Sequence, residues 1–158
     1  MGYPRYQLRR ELFIPLPRAQ VFAFFADAAN LESITPEFLR FRILTPGPIT
    51  MRAGTVIDYQ LRLLLIPFHW RTVIEVYEPN ERFVDVQAKG PYKSWRHVHE
   101  FVDAEGGTLM RDVVDYDLPL GPLGSLTHAL FVRRAVRRIF DFRNDRILQL
   151  LVGQSFER

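Results

Sequence analysis

The chain has 158 residues, with 21 basic and 18 acidic side chains and a formal net charge of +3. A chain of this length buries a core large enough to fold without a metal or a disulfide. It has no cysteine, which excludes thiol catalysis, thiolate-bound metals and iron–sulfur clusters. Hydrophobic residues make up 47% and charged residues 25%, which excludes a disordered tail or a collagen-like fibre. We therefore expect residues 1–158 to form a single domain.

The composition also restricts location and partners. No run of 18 consecutive apolar residues occurs, so no membrane-spanning helix is predicted. Arg5, Arg9 and Arg10 lie where a signal peptide needs an unbroken apolar segment, so we expect a cytoplasmic protein. The excess of three positive charges is too small to indicate nucleic-acid binding, and no such partner is expected.

The first elements are short. Arg5 to Ile14 alternates between apolar and polar side chains, which predicts a strand. Pro17 is suited to the first turn of a helix, and this helix should end near Asp27. A second short helical turn, capped by Asn30, is predicted to end at Ile34.

The remainder is a sheet followed by one long helix. From Phe38 to Leu118 the hydrophobic period stays close to two, and recurrent Gly, Pro and Asn residues divide this region into about six strands. Ser125 to Val152 has helical periodicity. The predicted fold class is α+β, with a curved antiparallel sheet of about seven strands and a long C-terminal helix.

Alternation also predicts which side chains face the core, because successive residues of a strand point to opposite sides of the sheet. In four strands one alternate set is mostly apolar or aromatic. These inward sets are Ile57, Tyr59, Leu61 and Leu63; Phe68, Trp70, Thr72, Ile74 and Val76; Trp95, His97, His99 and Phe101; and Met110, Asp112, Val114, Tyr116 and Leu118.

Residues 82–89 are ambiguous, because both alternate sets contain apolar side chains. A tight turn at Gly90 and Pro91 favours the valines as the inward set. The preferred set is therefore Val84, Val86 and Ala88, and the competing set is Phe83, Asp85 and Gln87.

Three polar residues share the predicted inner face. His97 and His99 lie on one strand. The hairpin across residues 103–107 places Asp112 opposite one or the other of them, depending on whether its turn has two or four residues. Buried polar groups usually face one another, a ligand or trapped water. Asp112 and a histidine could pair within a filled core or at a wetted sheet edge, orient a guest in a cavity, bind a metal with both imidazoles, or act as a general acid–base pair.

The spacing argues against the metal alternative. The usual strand-borne motif of two histidines has a glutamate three or four residues later, and none follows His99 at that distance. The spacing after Gly90 does not fit that motif either. We expect no metal and no cofactor.

The long helix has an apolar arc and a basic arc. Arg133, Arg134, Arg137 and Arg138 form the basic arc, with Asp141 and Asp145 nearby. A solvated face is the simplest interpretation, and docking onto an anionic membrane or RNA is the alternative. Arg143 lies within the apolar arc. Either it extends its guanidinium to water, or it anchors a ligand carboxylate at a cavity mouth.

Three segments resemble a known superfamily. They are LPRAQVFAFFADAANLESITP after the first strand, GPYKSWRHVHEF in the meander and IFDFR in the last helix. The chain is similar to the START/birch-pollen-allergen superfamily of helix-grip proteins, and within it to a bacterial polyketide cyclase/dehydrase-like or ligand-binding branch. The resemblance covers residues 5–151. It implies a sheet that grips the C-terminal helix around a hydrophobic tunnel, which in other members holds lipids, sterols, quinones or polyketide-like molecules.

The leading hypothesis is a non-covalent carrier or sensor of a hydrophobic small molecule. One alternative is a cyclase or dehydratase that uses a His–Asp pair as general acid–base, and another is a docking module that contacts a membrane or RNA through the arginine helix. The predicted ligand-binding residues are Ile57, Tyr59, Trp70, Trp95, His97, His99, Asp112, Tyr116, Phe140 and Arg143, and the catalytic candidates are His97, His99 and Asp112.

Overall fold

A computed structural model describes residues 6–63 and 65–153. The strands form one antiparallel sheet in the order β1-β7-β6-β5-β4-β3-β2, and the predicted seven strands and α+β class are confirmed. Arg5, the first residue of the predicted first strand, lies outside the described residues. The elements are β1 (Tyr6–Ile14), α1 (Arg18–Ala26), 3-10 turns (Ala28–Ile34 and Glu37–Leu39), β2 (Arg42–Ile43), β3 (Val56–Leu63), β4 (Ile66–Glu78), β5 (Arg82–Lys89), β6 (Ser94–Ala104), β7 (Gly107–Asp117), α2 (Gly121–Thr127), a π-helical turn (His128–Val132) and α3 (Arg133–Leu151).

The connection after α1 is capped differently from the prediction. The Asp27 carboxylate accepts a hydrogen bond from the backbone N–H of Ala29 at 3.0 Å, so Asp27 caps the first 3-10 turn. Asn30 lies inside that turn, and its side-chain amide donates to the carbonyl of Phe24 at 2.9 Å. The prediction of Asn30 as the cap is therefore wrong, because Asp27, the expected end of the first helix, also begins the next turn.

The β6–β7 hairpin has a two-residue turn. Ala104 pairs with Gly107, and this register places Asp112 directly opposite His99. Gly106 occupies the turn with a φ of +78°, which favours glycine. The sequence left two hairpin lengths open, and the shorter one is observed.

The inward face of β5 differs from the prediction. Asp85 pairs with His97, and Phe83 pairs with His99. Directly opposed residues of antiparallel strands lie on the same face, so β6 fixes Phe83 and Asp85 as inward residues. Val84 is also buried, but Val86 is only half-buried and Ala88 is exposed. The preference for the valine set is wrong because pairing with β6, rather than the Gly90–Pro91 turn, determines the face.

The C-terminal helical segment begins earlier than predicted. It starts at Gly121 rather than Ser125, with Pro122 in the first turn. Backbone N–H groups in the first turn have no acceptor within the helix, so a proline, which has no N–H, is tolerated there. A π-helical turn, His128–Val132, separates α2 from α3. The predicted single helix is therefore two α-helices joined by a π turn.

Helix α3 packs across the sheet through two hydrophobic clusters. In the first, Ile147 packs with residues of β1, α1, β6 and β7, including Ile14 and Phe101. In the second, Val136 and Phe140 pack against Leu8 and its neighbours. These contacts position one face of α3 over the concave side of the sheet.

Among the described residues, no helix is long and apolar enough to cross a membrane.

Candidate functional site

A cavity of about 190 Å³ lies between the sheet and α3. Its walls come from β3, β4, β5 and β6, from α1 and the two 3-10 turns, and from α3. Eight of the ten predicted ligand-binding residues line it. They are Ile57, Tyr59, Trp70, Trp95, His97, His99, Phe140 and Arg143.

Aromatic rings form much of the cavity wall. Trp70 is stacked with Tyr59 at a centroid distance of 6.1 Å. The indoles of Trp70 and Trp95 pack edge to face, with their ring centroids 5.5 Å apart. Tyr92 contacts both indoles. The Trp70 Nε1–H is buried and has no hydrogen-bond partner in the described part of the chain. Since a buried donor without an acceptor costs about 1–3 kcal/mol, Trp70 offers a donor to a guest in the cavity.

Two histidines and two aspartates form a compact buried cluster beside this wall. His97 Nε2 lies 2.7 Å from Asp112 Oδ1, and His99 Nε2 lies 2.8 Å from Asp85 Oδ2. The two remaining nitrogens also face carboxylates, His97 Nδ1 at 3.7 Å from Asp85 and His99 Nδ1 at 3.4 Å from Asp112. The imidazole centroids are 3.7 Å apart. We name Asp85, His97, His99 and Asp112 the His–Asp cluster.

The charges within the His–Asp cluster are set by burial and mutual contact. Burial favours protonation of Asp112, but the hydrogen bond and charge of His97 outweigh it and lower the pKa of Asp112 to about 2. At Asp85, burial raises the pKa of the carboxyl, but the contacts with His99 and His97 lower it by more, so this pKa is also below its ordinary value. For His99, burial and the neighbouring His97 lower the pKa to about 4. Both carboxyls are therefore ionised at neutral pH, and the His99 imidazole is neutral.

Arg143 projects from α3 into the cavity wall. Its guanidinium carbon lies 5.8 Å from the ring centroids of both Phe25 and Phe140. Its Nε is buried and has no hydrogen-bond partner within residues 6–63 and 65–153. Of the two predicted roles, this placement favours an anchor in the cavity over a side chain extended wholly into water.

Two predicted site residues do not line the cavity. Asp112 lies behind the two histidines, as their hydrogen-bond partner. Tyr116 is hydrogen bonded through its hydroxyl to His128 Nε2 at 2.9 Å, and it lies beside Tyr6. Both were placed on the correct face of β7, but other side chains separate them from the void.

Asp85 belongs to the site but was not predicted from the sequence. Its carboxylate lines the cavity and contacts both histidines. The available signal was an acidic residue in the competing alternate set of residues 82–89, on a strand next to the histidine pair. An isolated aspartate in an ambiguous strand does not reveal its face until the pairing with β6 is known.

Several solved structures have the same fold. Protein TTHA0849 from Thermus thermophilus is 17% identical, with a TM-score of 0.69 over 92% of this chain and 99% of that one. Protein CV1439 from Chromobacterium violaceum is 12% identical, with a TM-score of 0.70 over 92% and 96%. Ara h 8.0201 is 15% identical, with a TM-score of 0.59 over 91% and 98%. These structures confirm the helix-grip fold.

Sequence comparison identifies the family. Among proteins with curated descriptions, none matches this sequence significantly. A family model described as polyketide cyclase/dehydrase and lipid transport matches residues 6–151, which is most of the chain. The match includes all the elements that line the cavity, from α1 to α3. The chain therefore belongs to the polyketide cyclase/dehydrase and lipid transport family.

Proposed function

We propose that the protein binds a hydrophobic small molecule that carries an oxygen acceptor, in the cavity between the sheet and α3. The observation that carries this proposal is an aromatic cavity of about 190 Å³ with two buried donors, Trp70 Nε1 and Arg143 Nε, for which the described residues provide no hydrogen-bond acceptor. Ligand pockets are typically apolar, with a few polar groups that fix orientation. A carbonyl, carboxylate or hydroxyl oxygen on the guest would satisfy these donors.

The cavity volume restricts the size of the guest. An engineered apolar cavity of about 150 Å³ holds benzene. A cavity of about 190 Å³ therefore accommodates about one substituted ring without rearrangement of the walls. Quinone-like and other small ring compounds fit this volume better than a whole sterol or a long-chain lipid.

The cluster geometry favours binding over acid–base catalysis. All four ring nitrogens of His97 and His99 face a carboxylate of Asp85 or Asp112. A general base must lie within hydrogen-bond reach of the proton that it removes. The Nε2 atom of each imidazole is already hydrogen bonded to a protein carboxylate, so we place the cyclase or dehydratase alternative second.

A cavity-filling pair of variants tests the binding proposal. Ala28 is buried and lines the cavity, whereas the adjacent Ala29 is exposed. Ala28→Phe should weaken binding of acetophenone, a single substituted ring with a carbonyl oxygen, because the added ring occupies the void, and Ala29→Phe should leave it unchanged. The measurement is isothermal titration calorimetry, followed by native mass spectrometry of the complex.

A matched ligand tests the two donors. Ethylbenzene has the same ring and a two-carbon side chain, as acetophenone does, but no oxygen acceptor. In the wild type acetophenone should bind more tightly, and Arg143→Met should reduce that difference. Equal binding by Ala28→Phe and the wild type would contradict the proposed location, and failure of every probe to bind would contradict the function.

A second role, contact with an anionic membrane surface, is favoured by the segment before α3. Five large apolar side chains in residues 120–131 are 52–72% exposed: Leu120, Leu123, Leu126, Leu130 and Phe131. The exposed arginines of the basic arc follow directly. Asp141, expected to support these arginines, instead pairs with Arg10 of β1 at 3.1 Å. Among the described residues, no carboxylate forms a salt bridge with the arginines of the basic arc. An apolar stripe beside such arginines is typical of helices that lie on anionic lipid.

Vesicle co-sedimentation tests this second role. Each arginine near an anionic surface contributes about 1 kcal/mol, so Arg134→Gln/Arg137→Gln should weaken binding to phosphatidylserine vesicles roughly 30-fold at low salt. The control Arg62→Gln/Arg96→Gln removes the same charge from the outward face of the sheet and should have less effect. Equal effects, equal binding to neutral phosphatidylcholine vesicles, or binding to RNA alone would contradict a specific membrane contact.

A further inference from the structure

We infer that Asp85, His97 and His99 form a binding site for a divalent transition-metal ion at the cavity wall. Each of these residues offers one ligand atom, and the three atoms lie within 4.8 Å of one another. The contacts of Asp85 Oδ2 with His97 Nδ1 and His99 Nε2 identify these three as the candidate atoms. The carboxylate oxygen is 3.7 Å from the His97 atom and 2.8 Å from the His99 atom. Ligands that share one ion at bonds of about 2.0–2.2 Å lie roughly 3–4 Å apart, a range that the two carboxylate distances approach. The two rings lie 3.7 Å apart with an interplanar angle of 33°, so they must rotate for both lone pairs to meet at one ion.

The fourth member of the cluster occupies the outer position of such a site. Asp112 Oδ1 lies 2.7 Å from His97 Nε2 and 3.4 Å from His99 Nδ1, the nitrogens turned away from the three ligand atoms. Histidines that bind metals usually donate their other ring N–H to a carboxylate, which fixes the tautomer. One aspartate is placed to do this for both rings.

An unpartnered nitrogen is the independent observation that points to an ion. His99 Nδ1 is buried and has no hydrogen-bond partner in the described ranges, and His99 as a whole is 3% exposed. In a neutral His99, only one ring nitrogen carries a proton. If Nε2 donates that proton to Asp85, Nδ1 has a lone pair directed towards the Asp112 carboxylate, which is also an acceptor, so no hydrogen bond can form between them. An ion at Nε2 places the proton on Nδ1 instead, where it is directed towards the Asp112 carboxylate.

The ligand types indicate the kind of ion. Two imidazoles and one carboxylate suit Zn²⁺ or Fe²⁺, whereas Mg²⁺ and Ca²⁺ prefer oxygen ligands alone. Asp85, Asp112 and Arg143 carry a summed charge of −1 when the imidazoles are neutral, which favours a dication. All three ligand residues line the cavity, so the remaining coordination positions face it. The carboxylate of this site comes from β5 and not from a position after His99, so the spacing within β6 does not reveal it.

Titration of the chelator-treated protein with Zn²⁺ tests the site, with isothermal calorimetry as the readout. We expect one ion per chain. Loss of an outer carboxylate typically lowers metal affinity about 10- to 100-fold, so Asp112→Asn should show a decrease of that size. Asp85→Asn and His99→Gln should each lower it by more than about 100-fold, since they remove a ligand.

The chain provides a matched control. His69 Nε2 also lies 2.7 Å from a carboxylate, that of Asp58, but this pair is on the outward face of the sheet. His69→Gln should leave Zn²⁺ affinity unchanged. A decrease equal to that of His99→Gln would overturn the assignment.

Nitrogen-15 NMR of the wild type gives a readout that does not depend on whether the variants fold. On addition of Zn²⁺, the signals of His97 Nδ1 and His99 Nε2 should move to metal-bound positions, while the other two ring nitrogens become or remain protonated. No Zn²⁺ binding by the folded wild type, or binding that leaves these four nitrogens unchanged, would overturn the proposal. Because the titration contains no organic ligand, either result is independent of the binding function proposed above.

Discussion

His128 lies in the π-helical turn between α2 and α3, where its ring is stacked on Tyr6 at a centroid distance of 3.5 Å. Its Nε2 is hydrogen bonded to the hydroxyl of Tyr116. Burial lowers the pKa of His128 below its ordinary value of 6.5, and the charge of Arg133 lowers it further. The neutral imidazole therefore connects β1, β7 and the helical segment at neutral pH.

This lowered pKa predicts a loss of stability in acid. Below about pH 6.5 the unfolded state binds a proton at His128 before the folded state does, so the free energy of unfolding should decrease as the pH falls through this range. His128→Gln should show a smaller decrease than the wild type between about pH 7.5 and pH 5.5. Urea unfolding at the two pH values measures the difference, and parallel slopes for the two proteins would contradict it.

At the level of elements, the junction of β1 and β7 depends on the absence of a side chain. A Cβ on Gly107 would clash with the carbonyl oxygen of Ile14 and lie 2.8 Å from Cα of Pro15. Both contacts are with backbone, which cannot move aside as a flexible side chain can. Gly107 therefore allows the end of β1 to approach the start of β7, where Thr108 pairs with Ile14.

Gly107→Ala should destabilise the protein by about 1–3 kcal/mol, because the methyl group forces the two strand ends apart. Gly47 has no atom within 4 Å of its virtual Cβ and has no positive φ, so Gly47→Ala is the matched control. Chemical denaturation compares the two. Equal stability of the Gly107 variant and the wild type would show that the strand ends are not in close contact.

Considered as a whole, the molecule combines a close-packed end with a cavity. Near the C-terminal end of α3, Ile147 is fully buried in the cluster that includes Ile14, Phe25 and Phe101. Along the same helix, Phe140 and Arg143 border the void. The packed end attaches the helix to the sheet, and this attachment lets the middle of the helix stand apart from the strands.

Truncation at the packed end should affect global stability. Ile147→Ala should lower the free energy of unfolding by about 2–5 kcal/mol, because it removes buried apolar contacts and leaves a cavity. Gln149→Ala on the exposed side of α3 should change it by less than about 0.5 kcal/mol. Denaturant unfolding monitored by tryptophan fluorescence measures both. A small effect of Ile147→Ala would mean that the helix is held elsewhere.

The sequence by itself determined the strand count, the inward sets of β3 and β6, those of β4 as far as Ile74 and of β7 as far as Tyr116, and the shared face of His97 and His99. These features follow from alternation within a single strand, which is a local property of the chain. The prediction of Val76 as an inward residue is wrong, because a register shift between Ile74 and Val76 pairs Tyr77, rather than Val76, with the inward Phe83. The position of Arg143 within the apolar arc of α3 was likewise readable, because helical periodicity fixes it. These local patterns correctly placed eight residues in the cavity wall.

Only the tertiary structure decided the inward direction of Asp85, the hairpin register that sets Asp112 behind the histidines, and the separation of Tyr116 from the void. Each depends on a partner strand or on intervening side chains, which no single-strand pattern contains. The cavity itself depends on the distance between two layers. That distance results from packing at both ends of α3, which involves residues more than 100 positions apart in the chain, such as Ile14 and Ile147.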